Sequence, residues 1–270
     1  WRKTGEDHFS MVKDIDNHNK GLDVKTEDLY SAIARQLEER ADVEIASKKT
    51  AKAKYFGITI KSYGLKEAQW KGLIESYLGT LRELSLKARL QLAKKFYASE
   101  FSEQVHFGDA ILELSIEELA PAHFDFLDEI AEFLSNWGET DWFCIRVVQP
   151  LLRKYPKQTL GLLRKWNSSK SLWKRRASVV AFTRKIGISG EFTDEALELC
   201  DNLIWDKEDY VRKDVGWSLK DNMRGAKERV LSYVKSLRRK GVSSVITLYA
   251  IRDLKGKERE EVLKIKPDQS

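Results

Sequence analysis

Apolar residues recur at intervals of three and four along nearly all of this 270-residue chain, and almost nowhere at intervals of two. That spacing makes one-sided helices and is incompatible with half-buried strands, whose side chains alternate. Only four prolines and fifteen glycines interrupt it, so helices should follow one another across short polar breaks such as 167–170 and 187–190. The periodicity predicts thirteen helices, among them Glu27 to Val43, Asp141 to Tyr155, Trp173 to Ile186, Tyr210 to Asn222 and Ser243 to Leu254.

One pattern repeats. The run from Trp173 to Val180 aligns at a distance of 37 residues with the run from Tyr210 to Trp217: an aromatic residue, any residue, two cations, then an apolar stretch. A helical pair of this length cannot bury its apolar face alone and stacks on its neighbours. The fold class expected is therefore all-α, a HEAT-like helical-repeat solenoid whose concave face forms a basic groove. Residues 1–45 read as a lead-in and first helix, with His8 to Lys20 polar and poorly periodic; residues 46–254 read as the repeat domain, and 255–270 as a tail.

Composition narrows the function classes. No run of 18 apolar residues occurs, and the opening Trp1–His8 lacks the basic-then-apolar profile of a secretion signal. No membrane association is expected. Cys144 and Cys200 each lie inside an apolar segment, which leaves no disulfide framework and no zinc spacing. His8, His18, His106 and His123 lack ligand spacing as well, so neither a metal nor an organic cofactor is expected. From Leu151 onward the chain carries 28 basic and 16 acidic residues, a balance that favours a polyanionic partner, nucleic acid first.

The charge changes sign abruptly. Eleven acids and no Lys or Arg lie between Phe101 and Asp141, then twelve Lys or Arg and no acid between Trp142 and Gly190. Asp141 is thus the last carboxylate before a basic stretch, and Trp137 stands one helical turn before it, so indole and carboxylate share a face if both are helical. Trp173 with Arg176, and Lys213, Trp217 and Lys220, place further indoles beside cations on single stripes. A lone Trp is more often core; three such sets in one basic segment point to a shared aromatic and cationic cleft.

Four motifs in order carry a family resemblance over Tyr55 to Leu254: the tyrosine nine positions before a glycine in Tyr55–Gly64, the Trp-x-x-x-Asp of Trp137–Asp141, the Trp-x-x-Arg of Trp173–Arg176, and Val215-Gly-Trp-Ser-Leu-Lys220. The chain resembles the AlkD-type alkylpurine DNA glycosylases, built from HEAT-like repeats. The resemblance implies that Asp141 is the catalytic carboxylate, with Trp137 and Trp217 as aromatic walls around the lesion's deoxyribose. Tyr55, Trp173, Arg175, Arg176, Arg212, Lys213 and Lys220 would contact DNA, Arg176 at the backbone near the site. It further implies a monofunctional glycosylase that removes cationic N3- and N7-alkylated purines from double-stranded DNA with the lesion largely left in the duplex. Such a protein would act as a cytoplasmic monomer associated with the nucleoid. Two departures stand out: Lys220 replaces a usual Arg and loses its planar fork, and Gly138 replaces a bulkier residue.

The chemistry also follows from the residues. A purine alkylated at N3 or N7 is already cationic and leaves without being protonated. Cleavage develops positive charge on the sugar, which a fixed carboxylate and indole faces stabilise more in the transition state than before it. Schiff-base chemistry at Lys213 or Lys220 is the weaker reading, because nothing in the sequence suggests a neutral amine there. The alternatives left open are a non-catalytic HEAT-like DNA-binding or scaffold protein and a protein-interaction solenoid.

Overall fold

The computed structural model describes residues 25–268; the expected lead-in from His8 to Lys20 lies outside them. The described residues form two compact units, one ending at Glu118 and the other beginning at Leu119. Among them no strand occurs beyond an isolated bridge between Lys61 and Phe101, and no helix is long and apolar enough to cross a membrane.

The first unit holds α1 (25–38), α2 (Val43–Tyr55), α3 (Glu67–Glu83), α4 (Leu86–Tyr97) and α5 (Ser102–Ser115). Ile33 and Leu37 of α1, Leu81 of α3, Phe96 of α4 and Phe107 of α5 are fully buried, and the rings of Phe96 and Phe107 lie 5.4 Å apart. The helix expected from Glu27 to Val43 stops early. Asp42 donates its backbone N–H to the Tyr63 carbonyl at 2.8 Å and caps α2 by accepting from the Ile45 N–H at 2.9 Å. Gly64 makes this junction possible: its φ is +84°, and a Cβ there would lie 2.1 Å from the Asp42 carbonyl oxygen.

The second unit opens with a 3-10 turn at Pro121–His123 and α6 (Phe124–Phe133), then α7 (Trp137–Phe143), a π turn (Cys144–Val148) and α8 (Gln149–Lys154). After these come α9 (Pro156–Asn167), α10 (Leu172–Val180), α11 (Arg184–Ser189), α12 (Thr193–Asp201), α13 (Asp209–Gly225), α14 (Lys227–Arg239), α15 (Ser244–Ala250) and α16 (Gly256–Lys264). The 37-residue period is real in space: α9 and α12 begin 37 residues apart, as do α10 and α13. Helices α7, α10, α13 and α15 pack successively against one another. Gly216 permits the last approach, since a Cβ there would meet Tyr249 Cβ at 2.7 Å.

The two copies differ in one respect. Helix α13 runs unbroken for 17 residues, whereas its counterpart breaks after Val180 and restarts as α11 at Arg184. Side chains from elsewhere satisfy the exposed backbone of the break: Gln149 Nε2 donates to the Thr183 carbonyl at 3.0 Å, Asn222 Nδ2 to the Phe182 carbonyl at 2.9 Å, and the Arg184 N–H donates to Asp221 Oδ2 at 2.7 Å. Arg184 itself has φ +51°, the one non-glycine residue in the left-handed region among the described residues. The stretch after Leu254, expected as a tail, carries α16, whose Val262 is fully buried.

Candidate active site

Helix α7 begins with a built cap. The Asn136 side chain accepts from the Glu139 N–H at 3.0 Å, and Glu139 Oε2 accepts from the Ser135 N–H at 2.9 Å and its hydroxyl at 3.0 Å. A Cβ on Gly138 would sit 3.2 Å from the capping Asn136 oxygen, so the small residue leaves room for the cap. The helix therefore starts at Trp137, four residues before the expected Asp141, and Trp137 and Asp141 do share it. Trp137 is 46% exposed.

Both residues open onto a cleft of about 830 Å³. Trp142, Arg146, Gln149 and Arg153 continue its wall at steps of four, three and four residues, and Arg184 and Lys185 close it from α11. Arg146, Arg153, Arg184 and Lys185 were not singled out from the sequence. The signal was present: Arg146 and Arg153 lie on one helical stripe in the acid-free run that follows Asp141.

Asp141 is only 18% exposed, and it is anchored through one oxygen. Arg176 Nη2 donates to Asp141 Oδ1 at 2.7 Å and Arg176 Nε to the same oxygen at 3.2 Å. Among the described residues nothing donates to Oδ2. Burial pushes the Asp141 carboxyl above its ordinary value, and the guanidinium groups of Arg176 and then Arg184 act against that rise. Arg176 also forms an ion pair with Asp214 and donates to the Tyr210 carbonyl at 3.1 Å.

The other sequence candidates fall into distinct settings. Trp217 is half-buried, and the Arg184 guanidinium lies over its ring at 5.5 Å. Trp173 packs against Tyr210 at 5.4 Å, and the Lys213 ammonium stands 5.6 Å above the same Tyr210 ring. Arg175 is taken up by Asp206 at 2.6 Å and by the carbonyls of Ser169 and Lys170. Arg212 pairs with Asp209. Lys220, expected as a DNA contact, is buried against Asp221 at 2.9 Å. Tyr55 ends α2 in the first unit, 85% exposed and edge-on to Phe56 at 5.2 Å.

Internal pairing also explains part of the charge reversal. Asp128, from the acidic run, accepts from Lys165 at 2.7 Å, Trp166 Nε1 at 2.7 Å and Lys174 at 2.8 Å, and these partners draw its pKa down to about 2 against the opposing effect of burial. Acidic α6 is thereby tied to basic α9 and α10. Arg146, Arg153, Arg184 and Lys185 border the cleft.

A row of stacked helices that presents a half-buried carboxylate, an exposed indole and several cations in one cleft defines the molecule as a helical-repeat protein. The chain belongs to the DNA alkylation repair enzyme family, whose profile matches residues 33–254. No curated protein matches it in sequence. Its fold is similar to that of a protein from Enterococcus faecalis described as a predicted DNA alkylation repair enzyme, at 13% identity over 79% of this chain and 96% of that one, with a TM-score of 0.65. A weaker likeness, TM-score 0.40 and 17% identity over 64% of each chain, is to the Pseudomonas fluorescens alkylpurine DNA glycosylase AlkC bound to DNA containing an abasic site analog.

Proposed function

We propose that this member of the family is a monofunctional DNA glycosylase that excises cationic N3- and N7-alkylated purines from duplex DNA. The observation that carries the reading is the state of Asp141: Oδ1 is fixed by Arg176, while among the described residues Oδ2 has no donor and Asp141 borders the cleft. A structural carboxylate engages both oxygens; one that keeps an oxygen free can stabilise a cation or orient water.

In the reaction the glycosidic bond breaks with both electrons passing to the base, which neutralises its charge. The sugar becomes oxocarbenium-like beside Asp141 Oδ2. Trp137 and Trp217 present indole faces to that cation. Water then adds its oxygen to C1′, and its proton passes to Asp141. Because the leaving group is already cationic, no general acid is required. The carboxylate must be ionised, so the rate rises with pH through a pKa that burial has raised above the ordinary Asp value.

Arg146, Arg153 and Lys185 at the cleft suit the phosphates on either side of the lesion, with Tyr55 and Lys213 as further DNA contacts. Such contacts position without reading sequence. The arrangement therefore calls for little sequence preference and for affinity that falls steeply as salt rises. Lys220, held by Asp221 and within 4.0 Å of Asp253, is engaged with carboxylates and does not serve as a Schiff-base amine.

The test is product analysis on a methylated duplex under single-turnover conditions. Free N3-methyladenine and N7-methylguanine should appear, leaving an alkali-labile abasic site in an uncut strand. Salt-sensitive binding without base release would leave a non-catalytic DNA-binding member of the family, and strand cleavage without alkali would replace hydrolysis with lyase chemistry.

A further inference from the structure

Arg176 serves two carboxylates with one charge. Its Nε and Nη2 meet Asp141 from α7, while its Nη1 meets Asp214 from α13, one turn before Trp217. The side chains of Arg176 and Asp214 are each 5% exposed, so water cannot replace either partner. Among the described residues Arg176 is the only side chain in ion-pair contact with either acid. Lys213 of the same helix acts on Asp214 only through its field, as does Arg184 of α11 on Asp141, and the buried Cys144 thiol of the π turn feels the charge of both acids.

A single guanidinium cannot neutralise two buried carboxylates. One of them must keep a proton into higher pH, and the environments decide which. Asp141 borders the cleft; Asp214 is enclosed, and burial, with the Asp141 charge adding to it, pushes its carboxyl well above the ordinary range despite Arg176. While Asp214 is neutral, Arg176 is committed to Asp141. Once Asp214 ionises, it competes for the same guanidinium.

We propose that Asp214 is a positioning residue for Asp141: as the neutral acid it leaves Arg176 braced against the working carboxylate, and as the carboxylate it draws Arg176 away. The proposal rests on the glycosylase reading, to which it adds an upper limit of pH set inside the protein and not by the substrate. Asparagine mimics the protonated acid in shape and charge, so Asp214→Asn should lock the braced arrangement.

The experiment is the single-turnover pH–rate profile for N3-methyladenine release by the parent and by Asp214→Asn. Both should share the acid limb that belongs to Asp141 and have plateau rates within about threefold of each other. Only the parent should show an upper limb, falling by about tenfold per pH unit. An upper limb in both, none in the parent, or a uniform loss in the variant overturns the proposal. A second readout needs neither catalysis nor the variant. In the DNA-free parent, the Arg176 Nε–H resonance should follow the second of two carboxyl titration steps observed by NMR. If it follows the first step alone, Asp214 does not compete for Arg176. Absence of base release by the parent would sink the glycosylase reading while the NMR result still decides the fate of the cluster.

Discussion

Glu103 in the first unit and Asp141 in the second are both acids removed from water, yet they are built in opposite ways. Glu103 accepts from Lys49 at 3.2 Å and Ser62 Oγ at 2.6 Å through Oε1, and from the Tyr63 N–H at 3.0 Å and Ser102 Oγ at 3.1 Å through Oε2. Burial alone would raise its pKa, but those donors overcome it and hold the carboxyl below its ordinary value. Among the described residues Asp141 has one hydrogen-bonding partner and one oxygen engaged, and its carboxyl is displaced upward. A saturated acid pins the 57–66 loop to α5; an unsaturated acid beside a cleft holds electrostatic capacity in reserve for a ligand.

Three substitutions would break or sharpen this contrast. Arg176→Met strands two buried carboxylates together and should cost about 3–5 kcal/mol in urea unfolding at pH 7. Retained stability would mean that the cluster relaxes toward solvent. Glu103→Gln should cost about 1–3 kcal/mol by the same measurement. Because the folded pKa of Glu103 is depressed, its stabilisation is present above the unfolded value and is lost as pH falls through the folded one. The gap between parent and variant should therefore close in acid. Asp141→Asn should cost less than about 1 kcal/mol, since Arg176 keeps Asp214 as its partner. Here the sign reverses: a raised folded pKa gives stability below the unfolded value that is lost as pH rises through the folded one, so the amide compares best with the parent at neutral and alkaline pH. A large loss there would make Asp141 a structural acid like Glu103.

The helical character and the 37-residue period were legible because both are local patterns in one dimension. Trp137 with Asp141 was legible for the same reason, four residues apart on one helix. What was hidden depends on partners distant in the chain. The break before α2 rests on a bond from Asp42 to Tyr63, and the break before α11 on Gln149, Asp221 and Asn222. Val43 continues the apolar spacing across the first break, and Ile186 does so across the second, so periodicity reads through them. Helix α16 escaped notice because it buries only Val262. The repeated cations Arg175 and Arg176 read as DNA contacts, but their neutralising acids, Asp206, Asp141 and Asp214, come from distant parts of the chain. Sequence shows the charges and leaves the pairing unread.

The most direct test of the central claim is single-turnover release of N3-methyladenine and N7-methylguanine from a methylated duplex, with the parent beside Asp141→Asn and duplex affinity measured for both at one salt concentration. The account predicts release by the parent, a loss of about 10²–10³-fold in the variant, the scale on which removing one aligned electrostatic partner of a transition state acts, and little change in affinity. Equal release by the two proteins would contradict it and remove Asp141 from the reaction.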